Sequence, residues 1–394
     1  MRGEWDVVVA GGGPVGLAFA GSLAGNGLAV AVVEPQPEAV LAEPPDDGRE
    51  IALADRSVRM LRALGAWERI PETATAPLAR MQVLNGPSTY ALQFGADRAD
   101  GAPMAWFASN GAIRRALFAA VRERDAAAVL AGRRVVDARA EGARVRVMLD
   151  DGTVLRTRLL VAADTRRSAL RARMGIGAAM HDYRQRMLVC PVEHEELHGA
   201  VATAWFEYGR TLVTLPLRGE RSSVVMTLPP EDADHLLALD DRAFGAEVTR
   251  RYLGRLGRMR PTGRRHAVPV ETAYARRFAG TRFALLGDAA VGMHPTTAHG
   301  MNFGLSGQDA LAREVRAAAA AGGDPGDNAA LLRFEAAHRA DTRTFFTGAE
   351  AIMRLYAGGE ALPARLLRDA ALRIGNLPPL RSVLGTRMRE PTER

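Results

Sequence analysis

Lysine is absent from this chain of 394 residues, so all 52 of its basic residues are arginines. The formal net charge is +7, and a basic balance of this kind can attract nucleic acid, a membrane surface or an anionic cofactor. Zinc-finger spacings, RNA-binding aromatic motifs and arginine-rich blocks are all missing from the sequence. We therefore predict no nucleic-acid partner.

Cysteine is nearly absent as well, because the sequence contains Cys190 alone. A disulfide within the chain is thus impossible, which is typical of a reducing compartment. Cys190 stands in the apolar segment 187–191 with no His or Asp in a nucleophile motif beside it, and we interpret it as a buried strand residue. Metal-ligand spacings such as His-Glu-x-x-His are also missing, so no metal site is predicted.

Long apolar runs are lacking too, since no stretch approaches the roughly 20 apolar residues that cross a bilayer. No basic segment followed by an apolar run precedes the first predicted strand, so no secretory signal is predicted. These absences favour a cytoplasmic protein, with peripheral attachment to the inner face of the plasma membrane as the alternative.

The start of the chain contains a glycine-rich turn, Gly11-x-Gly13-Pro14-x-Gly16, between a predicted strand over 5–10 and a predicted helix over 14–26. Gly11 allows the tight turn, Gly13 lets the backbone approach a pyrophosphate, and Gly16 lets helix and strand pack closely. Glu34 ends the next predicted strand, where a carboxylate accepts hydrogen bonds from ribose hydroxyls. The turn therefore predicts a dinucleotide site at a helix N-terminus.

A second segment, far along the chain, distinguishes between NAD and FAD. Asp288 follows Gly287 at the end of a predicted strand, where its carboxylate can hold the ribityl hydroxyls of FAD. The helix predicted to begin near Gly300 directs backbone N–H groups toward the pyrimidine edge of a flavin, where negative charge develops on reduction. The two segments together favour one FAD site built from both ends of the chain.

The remaining pattern predicts an α/β fold. It is a Rossmann-like FAD-binding domain with an inserted antiparallel β-sheet substrate domain and C-terminal helices. The predicted divisions are 1–75, 101–180 and 276–325 for the FAD-binding domain, 76–100 and 181–275 for the β-rich domain, and 326–394 for the helical region. We predict a loop over 35–47, helices over 56–70 and 111–124, strands over 133–136, 144–149 and 154–162, and helix from 304 to about 375, broken at 322–326 and 358–359.

With these motifs in place, the chain resembles the single-component flavin-dependent aromatic hydroxylases of the para-hydroxybenzoate hydroxylase type. Three family landmarks occur in order: the N-terminal glycine motif, Asp164 in the middle and Gly287-Asp288 in the C-terminal third. The family usually has Gly after the middle Asp, whereas this chain has Thr165. The resemblance implies FAD as cofactor and NAD(P)H as co-substrate, and it associates Asp164 with both flavin and nicotinamide.

The resemblance narrows to the ubiquinone-biosynthesis ring hydroxylases. It is carried by segments spread over the chain: 48–53, 57–67, 183–185, 215–217 and 376–380. The segment 287–300 departs from most of that branch and is similar to a bacterial subgroup that hydroxylates demethoxyubiquinol-type rings. The implied cycle has NAD(P)H reduce FAD, O2 add to the flavin as a hydroperoxide, and an electron-rich, lipophilic aromatic ring take up one oxygen.

The family roles carry over to individual positions. Arg49 is implied as a contact to FAD phosphate, and Asn110, placed before a helix, as a contact to the ribityl-phosphate. Pro295 is implied to line the flavin ring near its oxygen-reactive carbon. Met301 and Asn302 are implied to offer backbone amides to the flavin O2 edge.

Two histidines are candidates for the base that deprotonates the phenol. His294 and His299 lie in the loop expected beside the flavin, and an unperturbed histidine titrates near pH 6.5. A capping or solvent-facing role is the alternative for each. Tyr183 and Gln185 stand at the entry to the β-rich insert and are candidate substrate contacts, with sheet packing as the alternative for Tyr183.

The C-terminal residues 361–389 combine an apolar helical stripe with arginines on either side of it. Such a basic amphipathic end can lie on an anionic membrane and admit a polyprenyl substrate, or contact a biosynthetic complex. The alternatives are packing on the catalytic core or on a second subunit of a homo-oligomer.

The predicted function is hydroxylation of a polyprenylated phenol or quinol precursor of ubiquinone by an FAD-dependent monooxygenase. Three alternatives remain at this level: hydroxylation of an aromatic natural product, a flavin-dependent reductase or oxidase, and a flavin-binding accessory protein without turnover.

Overall fold

The computed structural model describes residues 3–86, 91–95, 102–207 and 210–357. The strands in these residues are β1 Glu4–Ala10, β2 Val30–Glu34, β3 Glu50–Leu53, β4 Thr75–Leu78, β5 Arg80–Asn85, β6 Ala91–Phe94, β7 Ala105–Ser109, β8 Ala128–Ala131, β9 Val135–Glu141, β10 Arg144–Leu149, β11 Val154–Ala162, β12 Ala178–His194, β13 Val201–Glu207, β14 Arg210–Pro216, β15 Arg221–Leu228, β16 Met259–Pro261, β17 His266–Ala275, β18 Ala279–Gly280, β19 Phe283–Leu285 and β20 Val291–Gly292.

Nine α-helices lie among these strands in the described residues. They are α1 Pro14–Ser22, α2 Glu38–Ala42, α3 Asp55–Ala63, α4 Asn110–Glu123, α5 Ala169–Arg173, α6 Pro230–Ala238, α7 Asp241–Arg251, α8 Gly300–Ala320 and α9 Asn328–Ala357. None of them is long and apolar enough to cross a membrane.

Sheet A has a parallel centre, ordered β19-β11-β1-β2-β8, with β18, β10 and β9 at its margins. Its central strands are apolar on both faces, and Val7 to Val9 are fully buried, as in sheets covered by helices on each side. Because the parallel strands run the same way, the carboxyl ends of β1, β2, β11 and β19 meet at one edge. Ligands of open α/β sheets bind outside that edge.

Sheet C follows the order β20-β17-β12-β15-β14-β13-β5-β6, with β16 beside β12. One face of it, the outer face, packs its apolar side chains against α6 and α7. The opposite face, here called the inner face, carries Val189, Val225 and Val213, which lie side by side in register on β12, β15 and β14. The antiparallel pairing of β17 with β20 ties this sheet to the segment that follows Asp288.

Sheet B is small and consists of β3, β7 and β4. The side chain of Leu53 is fully buried in the core of sheet A, whereas its neighbour Ala52 packs with Phe107 against residues of the inner face. This alternation follows from the two-residue period of a strand. Sheet B therefore lies between sheet A and the inner face of sheet C.

The mixed α/β class is confirmed, and several boundaries are corrected. The segment 35–47 is not all loop, because it contains α2, whose Leu41 is buried. The helix expected over 14–26 ends at Ser22, and the one expected over 56–70 ends at Ala63, just before Gly65 with φ of 68°. The strand expected over 133–136 is β9, which begins and ends later. The proposed domain boundaries remain a prediction.

The positions of α8 and α9 can be compared with the helix breaks that the sequence predicted in the C-terminal third of the chain. The expected break over 322–326 separates α8 from α9, as Gly322 adopts φ of 67°. The expected break at 358–359 and the amphipathic stripe over 361–389 lie outside the described residues.

Candidate FAD and substrate site

The glycines of the first turn are held by close backbone contacts. Gly11 has φ of 118°, and a Cβ on it would lie 2.4 Å from the carbonyl oxygen of Ala163. A Cβ on Gly16 would lie 2.0 Å from the carbonyl oxygen of Gly11. Gly13, in contrast, has no atom within 4 Å of where its Cβ would be, and Pro14 follows it as the first residue of α1. The turn thus leaves open space in front of the first N–H groups of the helix.

Glu34 lies at the carboxyl end of β2, beside this turn. Its Oε2 accepts a hydrogen bond of 2.7 Å from the backbone N–H of Gly12, and its Oε1 accepts one of 3.0 Å from Gln36. These bonds fix the carboxylate at the strand end predicted for ribose recognition. An oxygen that accepts one hydrogen bond retains a second lone pair for a ligand hydroxyl.

The middle and C-terminal motifs meet through Arg166. Its Nε donates to Oδ2 of Asp288 at 2.8 Å, and Arg171 donates to the carbonyl oxygen of Ala289 at 2.7 Å. Asp288 is paired on one side and remains partly exposed, with 41% of its side chain accessible. The middle and C-terminal segments are therefore adjacent. The first turn lies beside them, because a Cβ on Gly287 would lie 3.3 Å from the Val15 side chain. Both arginines follow the middle Asp, a link that the sequence reasoning missed.

Asp164 lies at the end of β11 and is only partly satisfied. Its Oδ2 accepts from the Ser168 hydroxyl at 2.8 Å, whereas its Oδ1 is buried with no partner in the described residues. Burial raises the pKa of this carboxyl, and the Ser168 hydrogen bond opposes that rise. A buried oxygen without a partner costs free energy unless a ligand or water satisfies it.

Arg49 and Asn110 are brought together by Asp47. Arg49 pairs with Asp47 at 2.6 Å and has half of its side chain exposed, while Asn110 Nδ2 donates to the same carboxylate oxygen at 2.7 Å. Burial alone would raise the pKa of Asp47, but the hydrogen bonds and charge of Arg49 hold it below its usual range. Asn110 is the first residue of α4, not the residue before it, because Ser109 is the N-cap. The FAD roles of both residues remain predictions.

Helix α8 begins at Gly300, as expected, and its first turn contains Met301 and Asn302. His299, at the N-cap position, makes no side-chain capping bond, so the first-turn N–H groups have no partner from that side chain. The Asn302 side chain donates to the carbonyl oxygen of Ala52 at 2.8 Å and accepts from Ser57 at 2.7 Å. This side chain anchors the helix N-terminus to sheet B and leaves the backbone amides for a ligand.

Tyr183 and His294 are in direct contact. Their rings meet edge to face with centroids 4.7 Å apart. The Tyr183 hydroxyl donates to Oε1 of Glu350 on α9 at 2.9 Å. A register shift in β12 between Asp182 and Arg186 contains Tyr183 and Gln185, and irregularities of this kind redirect side chains beside active sites.

Neither predicted histidine base has an ordinary environment. His294 is 3% exposed, and burial lowers its pKa to about 4, so the imidazole is neutral near pH 7. His299 is hydrogen-bonded through Nδ1 to the Thr297 carbonyl, and the centroid of its ring lies 4.2 Å from that of Phe345. Burial lowers the pKa of His299 as well. Both are weak bases in this setting, and their catalytic role remains a prediction.

The inner face of sheet C is the part of the site that sequence reasoning missed. It is largely apolar, yet it carries three buried polar atoms with no partner in the described residues: Thr211 Oγ1, Ser223 Oγ and His266 Nε2. Their shared face follows from the register of β14, β15, β12 and β17. The sequence predicted an inserted antiparallel sheet, but only the pairing of its strands shows that these atoms share one face.

The residues present fit an FAD cofactor. The open space at Gly13 adjoins a helix N-terminus, where phosphate is favoured. Glu34 and Asp164 stand at the carboxyl ends of β2 and β11, on either side of β1. The Glu34 carboxylate and Oδ1 of Asp164, which has no partner in the described residues, provide acceptors for hydroxyl groups. The helix that begins at Gly300 supplies a second set of first-turn N–H groups.

Comparison with known proteins gives the same result. The family model described as an FAD binding domain matches residues 4–339. The chain is 39% identical to the ubiquinone hydroxylase UbiM of Neisseria meningitidis, over 96% of this chain and 83% of that protein. It is 37% identical to the ubiquinone hydroxylase UbiL of Rhodospirillum rubrum, over 97% and 90% of the two chains. It is 26% identical to the 3-demethoxyubiquinol 3-hydroxylase of Escherichia coli, over 93% of each.

Among solved structures, p-nitrophenol 4-monooxygenase PnpA from Pseudomonas putida superposes with a TM-score of 0.76, at 18% identity, over 98% of this chain and 99% of that one. The FAD-dependent fold predicted from the sequence is thereby confirmed. The chain belongs to the FAD binding domain family, and its cofactor is FAD, with NAD(P)H as the co-substrate typical of the family.

Proposed function

We propose that this member of the FAD binding domain family is a monooxygenase that hydroxylates the ring of a polyprenylated phenol or quinol on the route to ubiquinone. The names of its relatives, two ubiquinone hydroxylases and a 3-demethoxyubiquinol 3-hydroxylase, support that substrate class. Such a substrate has a long apolar chain and a ring with oxygen substituents.

The observation that carries the proposal is the composition of the inner face. Valines 189, 213 and 225 form an apolar surface. Buried hydroxyl and imidazole atoms interrupt it, and these atoms have no partner among the described residues. An aromatic ring gains free energy from burial against such a surface. Its oxygen substituents can satisfy the orphaned atoms, which are otherwise a cost to the folded protein.

The chain itself has three tasks in this reaction. FAD, when bound, supplies the redox chemistry, with NAD(P)H as reductant and O2 as oxygen donor. Glu34, Asp164 and the first turns of α1 and α8 hold the cofactor. The inner face orients the ring and excludes water, and Tyr183 and His294 close the space beside Pro295 with their edge-to-face contact.

The direct test supplies the purified protein with prenylated phenols and quinols, NADH or NADPH, and O2, and identifies products by mass. The proposal predicts a product heavier by one oxygen atom, formed only with both O2 and reductant. A product formed equally well without O2 would identify a reductase instead. Oxidation of the reductant without any modified ring would argue for an oxidase.

A matched pair of variants tests whether the aromatic ring of the substrate binds at the inner face. Val225→Phe adds volume to the inner face and is expected to lower product formation at least tenfold with full FAD content. Val154→Phe makes the same change at a strand end, where the residue is 38% exposed, and is expected to be neutral. Unchanged turnover in Val225→Phe would show that the substrate does not bind at the inner face.

We further propose peripheral membrane contact through residues 361–389, which lie outside the described residues. The support is the sequence alone, with apolar residues flanked by arginines. Sedimentation with anionic vesicles should deplete the full chain from solution and leave a chain ending at residue 357 behind. Equal sedimentation of the two chains would contradict this contact.

A further inference from the structure

Glu50 is a carboxyl group in the layer between sheet B and sheet C. It lies two residues before Ala52 on β3, so the two side chains point to the same side of the strand. Ala52 packs against a buried cluster that joins Phe107 of sheet B to Ala202 and Phe94 of sheet C. Glu50 therefore faces the same apolar layer in which the aromatic substrate is proposed to bind.

The groups around Glu50 favour its neutral form. Asp46 and Asp47 lie close enough to repel a negative charge on it, whereas Arg221 on β15 attracts that charge. Burial, more than the two aspartates, raises the pKa of Glu50 to about 8. The described contacts give its carboxyl no hydrogen-bond partner, whereas Asp47 is held by Arg49 and Asn110.

Two orphaned polar atoms lie in the same layer. Ser223 is 1% exposed, its Oγ has no partner in the described residues, and it stands two residues from Arg221 on the same face of β15. His266 packs against the loop before Glu50, because a Cβ on Gly48 would lie 2.9 Å from its Cδ2. The His266 Nε2 is likewise buried and has no partner in the part of the chain that the structure describes. These atoms point to a ligand with oxygen substituents and not to an apolar chain alone.

We propose that Glu50 is the base that takes up the ring-hydroxyl proton of the phenolic substrate, an assignment that rests on the proposed function. In this step the O–H bond of the substrate breaks, a new O–H bond forms on the Glu50 carboxylate, and the ring oxygen keeps the electron pair. No electrons are transferred. The proton returns to water when the product leaves.

The chemistry favours Glu50 over the two histidines of the loop. A base is most effective when its pKa is near the working pH and not far below that of the acid it deprotonates. A phenol titrates near pH 10, so an ordinary carboxylate is a poor base for it and a carboxylate with a pKa near 8 is a better one. Burial lowers the pKa of His294 to about 4, which makes its imidazole a weaker base for a phenol.

The test compares wild type with Glu50→Gln, which keeps the shape of the side chain and cannot accept a proton. Glu141→Gln serves as the control, because it makes the same chemical substitution at a side chain that is exposed at the end of β9. Product formation is measured from pH 6.5 to 9, with FAD content determined for every sample. A general base contributes about 10²- to 10⁴-fold to a rate.

The proposal predicts that wild type and Glu141→Gln lose product formation as the pH falls through about 8. Glu50→Gln should lack this dependence and form product at least roughly 100-fold more slowly, with normal FAD content. Glu50→Asp should restore part of the pH dependence. A Glu50→Gln enzyme with the wild-type pH profile, or a wild type with no transition in this range, would overturn the assignment.

A binding measurement separates this inference from the proposed function. Titration of the FAD-loaded proteins with 2-octylphenol, followed by flavin absorbance, reports ring binding without turnover. Binding to wild type should tighten about fivefold as the pH rises through the Glu50 transition, because a hydrogen bond to a carboxylate is stronger than one to a neutral acid. The phenol affinity of Glu50→Gln should not change over the same pH range. If phenol binding depends on pH but no hydroxylated product forms, the result supports Glu50 as a contact of the phenol and contradicts the monooxygenase assignment.

Discussion

Alanine substitutions at Gly13 and Gly16 separate the two tasks of the glycine turn. A Cβ on Gly16 would lie 2.0 Å from the Gly11 carbonyl oxygen, and Cβ contacts below 3.0 Å are essentially never found. Helix α1 must therefore move by about 1 Å from the end of β1. Overpacking of this kind costs about 1–3 kcal/mol, and we expect the upper half of that range because the obstacle is backbone.

Gly13→Ala meets no atom within 4 Å, and the backbone at Gly13, with φ of −71° and ψ of 176°, accepts any residue. Its expected cost is about 0.5–1 kcal/mol, because alanine is a poorer N-cap than glycine. The new methyl group, however, occupies the space assigned to the pyrophosphate. FAD affinity should fall at least tenfold, a loss of about 1.4 kcal/mol.

The assay measures urea unfolding of the FAD-free proteins and, separately, FAD binding by fluorescence titration. Gly348→Ala is the control, since it lies in α9 with no atom within 4 Å of its Cβ and should be neutral or stabilising. Wild-type FAD affinity in Gly13→Ala would refute the assignment of this space to the cofactor. Wild-type stability in Gly16→Ala would refute the packing argument.

Three further predictions concern the rest of the site. Glu34→Ala and Asp288→Ala should each weaken FAD retention, because each removes an acceptor at a strand end; the flavin content after gel filtration checks this, and full content in both would contradict the site. Tyr183→Phe should lose about 1 kcal/mol of stability to urea, the usual net value of a hydrogen bond, and an unchanged midpoint would show that its bond to α9 contributes nothing. His294 and His338, whose pKa values burial lowers to about 4, take up protons on unfolding between pH 4 and 6.5. The free energy of unfolding should therefore fall as the pH drops through this range, and His338→Gln should reduce the slope; an identical slope would contradict it.

The sequence predicted the structure of the candidate site wherever that structure depends on local chain geometry, whereas the roles of its residues stay predictions. Gly11, Gly16 and Glu34 act through a tight turn and a strand end, and both are evident from their spacing. The parallel sheet then brings Asp164 and Asp288 to the same edge without further information. Motifs of this kind are predictable because neighbouring parallel strands end together.

The remaining features depend on contacts between distant segments. The ion pair of Arg166 with Asp288 and the anchoring of Asn302 to sheet B join residues 122 or more positions apart. The inner face with Ser223, and the position of Glu50 opposite it, requires the order of the strands in sheet C. The length of α1 was overestimated because alanine and leucine continue past Ser22, while two glycines, Gly25 and Gly27, adopt positive φ.

The most direct test of the central claim is an FAD titration of the unliganded protein, followed by addition of 2-octylphenol. The account predicts one FAD bound per chain and a change in flavin absorbance when the phenol is added, because ring and cofactor share one site beside the inner face. Failure to bind FAD would contradict this claim, and so would an absorbance spectrum of bound FAD that does not change when the phenol is added.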